Sequence, residues 1–287
     1  MLENILFGSV AVPGEMIRLV IAFLGVIVAT YYDLFNRKNV PDGLLYGFLA
    51  VAVLANLVYY FIQPDMDLLI FTVGAAAFLA GIGYVFYRFG QICGADVIVI
   101  AAVMLLMPFA PSFAKLNFNL PFILPVMIYA GLLFAIYATA KFGIRVFREG
   151  GQPKWLYALL IIPYLLFAYI FMTSPIFTPV YFGVITVLLL CTVFFMMYKD
   201  DINLMLADEL PLEQLEAEDV VALELIDRDV VKKYQIKRLL KTDEIARLKA
   251  EGIQTLWVYT QLPPFIPFLL AGMMLTLFFS KALLFGL

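Results

Sequence analysis

The sequence predicts an α-helical polytopic membrane protein of about eight transmembrane helices, with a small α+β domain inserted before the last helix. Three observations carry that prediction. Hydrophobic residues make up 64% of the 287 positions and the mean hydropathy is +0.98, more apolar surface than a soluble fold of this length buries. The apolar residues fall in runs of about 18–23, each long enough for a helix across a hydrocarbon core about 30 Å thick. One polar, charged stretch, about 199–257, is the only segment long enough to fold outside a bilayer.

In chain order the expected spans are roughly 16–34, 43–63, 67–89, 95–112, 121–143, 154–173, 176–198 and 263–284. Residues 1–15 carry Glu3 and Glu15 and no basic n-region, so they do not read as a secretory signal. The third span is crowded with Gly74, Ala75, Ala76, Ala77, Ala80, Gly81 and Gly83, and small residues let helices approach closely in lipid. The sixth and seventh spans are joined only by Thr173-Ser174-Pro175. They read as an antiparallel pair; a single broken segment is the other reading.

The predicted layout is a seven-helix membrane domain over 1–198, a cytoplasmic α+β domain over 199–257 and a last span within 258–287. Basic residues favour the cytoplasmic side. With the N-terminus outside, the inner loops hold Arg37, Lys38, Arg88, Lys141, Arg145, Arg148, Lys154 and the cations of 199–257; the outside keeps Arg18, Lys115 and Lys281. Within the polar segment, Thr242-Asp243-Glu244 reads as a helix start and Gly252 as its stop. Residues 220–226 and 253–259 read as strands.

Composition also limits the chemistry. The chain has no histidine, which removes the Ser-His-Asp triad, His-ligated zinc and His proton relays. Cys93 and Cys191 are the only cysteines and form no CxxC pair, so neither a disulfide framework nor a zinc site is expected. No cofactor or metal is implied. The scattered basic residues make no nucleic-acid patch. Carboxylates remain the best candidates for polar chemistry.

Two acids sit inside expected spans. Asp96 opens the fourth, behind Gly94 and Ala95; Asp33 ends the first, after Tyr31-Tyr32. The first span runs inward and the fourth outward, which puts both acids at the cytoplasmic level. A charge at that depth is costly unless it is paired or solvated. Two neighbouring carboxylates share a proton, so one can take a proton from water while the other donates to a carbonyl oxygen, as in aspartic proteases. The alternative is structural: each Asp caps a helix or reaches the interface. Matched depth favours the catalytic pair.

Gly94-Ala95-Asp96 resembles the Gly-x-Gly-Asp motif of intramembrane aspartic proteases, and is closer to the Gly-x-hydrophobic-Asp variant of archaeal type IV prepilin and preflagellin (archaellin) peptidases. Asp33-Leu34-Phe35-Asn36-Arg37 followed by Val40-Pro41-Asp42 resembles that family's first motif. The charged stretch before Gly252-Ile253 and the span opening Pro263-Pro264-Phe265 are similar to its archaeal C-terminal part. Cys93 stands where the motif has its first glycine, Ile98 where many members have lysine, and the Arg37-to-Pro41 spacing is one residue long.

The resemblance implies an endopeptidase of the cell membrane that cleaves class III signal peptides at the cytoplasmic face. Its partners would be prepilin or archaellin precursors, each with a basic leader and a hydrophobic helix, and the lipid bilayer. It names Asp33 and Asp96 as catalytic, with Gly94 and Ala95 beside them as the active-site motif. Arg37 and Asp42 are candidate substrate contacts, and Glu149, Glu209 and Glu213 could attract the leader. For each of these acids an ordinary loop charge is the plainer reading. Two competing classes are a carboxylate-dependent proton or cation transporter and a non-catalytic pilus or archaellum assembly scaffold.

Overall fold

The computed structural model describes residues 12–35, 40–114, 120–175 and 177–285, with side chains described as far as 279. Arg37, Lys38, Lys115 and Glu3 lie outside the described residues. Helices dominate. α1 (Glu15–Phe35), α2 (Asp42–Ile62), α3 (Met66–Arg88), α4 (Gly94–Leu106) and α5 (Ile123–Glu149) come first. A 3-10 turn, Trp155–Leu160, leads into α6 (Ile161–Met172), and α7 (Pro179–Met197) follows.

Six of the eight expected spans are helices long and apolar enough to cross a membrane: α1, α2, α3, α5, Trp155–Met172 and α7. The chain is therefore a multi-pass membrane protein. The expected fourth span is a shorter apolar helix, Gly94–Leu106, and the last is apolar over Ile266–Phe279, the part with described side chains. The last helix, α11 (Ile266–Phe285), has a non-helical residue at Phe279, φ −124° and ψ 15°. The expected sixth and seventh spans are two separate helices packed on each other, with the rings of Tyr164 and Phe182 stacked at 6.5 Å.

Why does α4 stop early? Its 13 residues rise only about 20 Å, and Pro108 and Pro111 follow it. A helix ending inside an apolar bundle leaves carbonyls that need donors. The Nδ2 of Asn56 on α2 donates to Leu105 O at 2.8 Å. The Nη1 of Arg18 on α1 donates to Leu105 O at 3.3 Å and to Asn56 Oδ1 at 3.0 Å. A cation at a helix C-terminus also suits the helix dipole. Arg18, counted above among the outer-loop cations, is instead 3% exposed and interior.

α4 is the axis of the bundle. Val99, Ala102, Val103, Met104 and Leu106 are fully buried, and α1, α2, α3 and α5 all contact it. α11 closes the ring against α1 and α5. A Cβ on Gly272 of α11 would lie 2.5 Å from the carbonyl oxygen of Val126 on α5, so only glycine allows that approach. In the small-residue third span, Gly83 serves the same purpose, with an added Cβ 2.7 Å from Val97 Cγ1 of α4. Gly74 and Gly81 face open space, so close packing explains only part of that stripe.

The polar segment has its own hydrophobic cluster, formed by Leu212, Leu215, Val221, Ile236, Leu240, Leu248, Leu256 and Val258. It contains α8 (Lys199–Leu206), β1 (Ala207–Pro211), α9 (Arg228–Tyr234), α10 (Thr242–Ala250) and β2 (Thr255–Tyr259). β1 and β2 pair antiparallel, with Ala207 opposite Tyr259 and Pro211 opposite Thr255. The expected helix and the second expected strand are present. Residues 220–226 are not a strand: Val220 and Val221 make isolated bridges to Leu239 and Val258, and Leu223–Leu225 is a 3-10 turn. The partner of β2 is β1, whose Asp208-Glu209 pair hides it from a reading based on hydrophobic alternation. β2 ends at Tyr259, the last residue of the expected strand.

Candidate active site

Asp33 lies in the last turn of α1, and Asp96 is the third residue of α4. Each is 7% exposed. Asp33 acts electrostatically on Asp96, so the fold brings the two carboxyls within electrostatic reach.

Each acid also sits at a helix N-terminus. The backbone N–H of Ile266, first residue of α11, donates to Asp33 Oδ2 at 3.2 Å. The N–H of Cys93, at the N-cap of α4, donates to Asp96 Oδ2 at 3.3 Å. Helix N-termini attract anions through unpaired N–H groups and the aligned peptide dipoles. Two such ends offset part of the cost of placing two acids in an apolar bundle. The capping role and a chemical role are therefore compatible at both positions.

The backbone at Cys93 does not require a glycine. Its φ of −77° and ψ of 149° are extended values open to any residue. Gly90, three residues earlier, does need its identity. Its φ is +64°, and a Cβ there would lie 2.9 Å from Val220 Cγ1. That glycine lets the turn between α3 and α4 press against the polar segment.

Beside the motif is an open cleft of about 280 Å³. Val40, Asp42, Leu45 and Tyr46 line it from the start of α2, Tyr84 and Tyr87 from the end of α3, and Cys93, Gly94, Ala95, Val97 and Ile98 from the start of α4. Glu218 of the polar segment completes the lining. Gly94, Ala95 and Asp42 are thus at the cleft, as is Ile98.

The other acids considered as leader contacts are engaged elsewhere. Glu149 pairs with Arg145 at 3.8 Å, Glu213 with Lys249 at 3.0 Å, and Glu209 accepts from the Thr255 hydroxyl at 2.6 Å. Arg37 lies outside the described residues. Glu218 was missed by sequence reasoning, because it sits in the acidic run Glu216-Ala217-Glu218-Asp219 with no motif around it. Among the described residues no cluster of His, Cys, Asp and Glu could hold a metal ion. Cys93 and Cys191 are both free thiols.

These features define a multi-pass membrane protein with two buried Asp residues within electrostatic reach of each other and an open cleft beside one of them. No protein-family model matches the chain. The chain is similar to the prepilin peptidase EppA of Methanothermobacter thermautotrophicus, with 29% identity over 104 residues. The match spans 36% of this chain and 27% of the relative's length.

Proposed function

We propose that the chain is an intramembrane aspartic endopeptidase that cleaves class III signal peptides of prepilin-like or archaellin precursors. The observation that carries this reading is the pair Asp33 and Asp96, buried, within electrostatic reach and each seated at a helix N-terminus. In the proposed reaction one carboxylate takes a proton from water as the water oxygen attacks the scissile carbonyl. The other, protonated, donates to the carbonyl oxygen. Collapse of the tetrahedral species breaks the C–N bond, and a proton passes to the leaving nitrogen. Which acid begins as base is left open, because such a pair titrates as a unit.

The peptide must reach the pair in extended form, since helical hydrogen bonding hides its carbonyls. The open cleft along residues 93–98 supplies a neighbouring place for an extended segment. In this reading the N-terminus lies outside, and the acid pair and the 199–257 unit face the cytoplasm. Arg88, Arg145, Arg148 and Lys154 follow the positive-inside bias in that orientation. The similarity to a prepilin peptidase supports the substrate class.

The test is cleavage of a purified prepilin and a purified archaellin precursor by the protein in lipid vesicles. The wild type is expected to release the leader, and Asp33→Asn and Asp96→Asn are expected not to. Cleavage retained in both variants overturns the aspartic mechanism.

A further inference from the structure

We propose that Arg18 is a positioning residue for the acid pair: from the opposite end of α4 it fixes the register of α1 against α4, and so the setting of Asp33 against Asp96. The kinetic half of the proposal rests on the peptidase reading; the structural half does not.

The same two helices carry both features. α1 holds Arg18 near its start and Asp33 in its last turn. α4 holds Asp96 near its start and Leu105 and Leu106 at its end, about 14 Å further along. Arg18 Nη1 donates to the carbonyl oxygens of Leu105 at 3.3 Å and Leu106 at 3.5 Å. Asn56 of α2 completes the group. Its Oδ1 accepts from the same Nη1 at 3.0 Å, and its Nδ2 donates to Leu105 O at 2.8 Å and to Ala52 O of its own helix at 2.9 Å. Three helices therefore meet at one carbonyl.

The charge of Arg18 makes this contact directional. The side chain is buried, and no carboxylate among the described residues forms an ion pair with it. Glu15, one turn away, accepts instead from the backbone N–H of Ser112 at 3.1 Å and from its hydroxyl. The guanidinium lies over the Tyr59 ring, 4.9 Å from its centroid, and its acceptors are the carbonyls at the negative end of α4. A buried cation that loses its acceptors is costly, so sliding α1 along α4 meets resistance at this point.

The seam between the two ends supplies little of that resistance. Between Leu19 and Asp33 the buried face of α1 is Ala22, Val26 and Ala29, and the buried residues of α4 past Asp96 begin Val99, Ala101, Ala102 and Val103. Short side chains let backbones approach but make shallow ridges. A deeper fit joins α1 to α2, where a Cβ on Gly25 would lie 2.1 Å from Phe48 Cε2. Asn56 belongs to that same helix, so α2 and Arg18 set one register together. Catalysis by a carboxylate pair depends on placement to about 1 Å, which gives a contact at the far end of α4 a hold on the rate.

The experiment reads register and kinetics separately. Nitroxide labels are placed on native Cys93, whose thiol is exposed while that of Cys191 is buried, and on the thiol introduced by Val20→Cys on the exposed side of α1. Pulsed electron resonance in nanodiscs then gives the distance between the labels. Arg18→Met is expected to shift or broaden that distance by about 1.5 Å or more, the rise of one residue. Arg18→Lys, which keeps a cation and donors, is expected to stay near the parent. Gly272→Ala, destabilised at a different contact, is expected to leave the distance unchanged. In the unlabelled proteins, assayed below their unfolding midpoints, Arg18→Met should lower kcat by about 10²-fold and change KM by about twofold or less, with Arg18→Lys restoring most of kcat. An unchanged distance in Arg18→Met, or a kcat loss no larger than that of Gly272→Ala, overturns the proposal. A displaced distance in Arg18→Met, with no cleavage of any precursor by the wild type, upholds the register role and counts against the peptidase reading.

Discussion

The carboxylate of Asp33 accepts a hydrogen bond from the backbone N–H of Ile266 at 3.2 Å, across 233 positions of the chain. It ties the end of the first helix to the start of the last. Charge and hydrogen bonding at this residue can be separated. Asp33→Asn keeps an acceptor for Ile266, so stability is expected to change by less than about 1 kcal/mol, while cleavage falls by about 10²–10⁴-fold or more. Asp33→Ala removes the acceptor as well and is expected to cost a further 1–2 kcal/mol or so. Thermal unfolding in detergent, beside the cleavage assay, distinguishes the two. An Asp33→Asn protein that stays as stable as the wild type and still cleaves would mean the residue acts only as a cap.

The far end of α4 makes a different prediction. Arg18 and Asn56 together satisfy carbonyls that the short helix leaves open. Arg18→Met should destabilise the protein by about 1.5–3 kcal/mol. Asn56→Leu should cost somewhat less, and the double variant should cost less than the sum, because each residue holds the other. Additive losses in thermal unfolding would show that the two act independently.

Helix contact at Gly272 can be tested against glycines of the same type in open surroundings. Gly272→Ala must displace α5, because the new methyl would meet a backbone carbonyl at 2.5 Å; about 1–3 kcal/mol of destabilisation is expected. Gly74→Ala and Gly81→Ala meet nothing within 4 Å, so they should be neutral, or slightly stabilising through helix propensity. Equal midpoints for all three variants would contradict the close approach.

A pH prediction concerns the polar unit. Burial works to raise the pKa of Glu224. Its backbone hydrogen bond, Arg238 at 2.8 Å and the Tyr259 hydroxyl at 3.1 Å together outweigh that and hold the pKa below the ordinary 4.5. A carboxylate whose pKa is lower folded than unfolded stabilises the fold above its unfolded value, and the contribution disappears as pH falls through the folded value. The gap between wild type and Glu224→Gln should therefore be full near neutrality and shrink below about pH 4.5. Tyr259 stays a neutral donor throughout, since burial and then Glu224 push its pKa up to about 12. Denaturation followed at Trp257, which lies in β2, gives the comparison; a gap independent of pH would refute it.

Much of this was legible in the chain because hydrophobic run length is a direct physical signal. Six spans, the helix at 242–250 and the strand ending at Tyr259 follow from run length, capping residues and alternation. α4 was legible as a helix but not in its length. Its apolar run continues to Met107, and what shortens its role is a pair of partners, Arg18 and Asn56, on other helices. The two acids were legible as intramembrane charges, whereas their seats at helix N-termini were not. Ile266 comes to Asp33 only through the packing of α11 against α1. Glu218 was the least visible, since no local pattern marks a loop acid that tertiary contact with Tyr87 brings to a cleft.

The Asp33–Ile266 contact also sets a clock. A ribosome that adds about 5–20 residues each second needs roughly 10–50 s to travel the 233 positions between them. For that interval Asp33 is already made and its helical partner is not. A nascent chain therefore carries the acid but not its seat, and the complete arrangement forms only after the final apolar segment has left the ribosome.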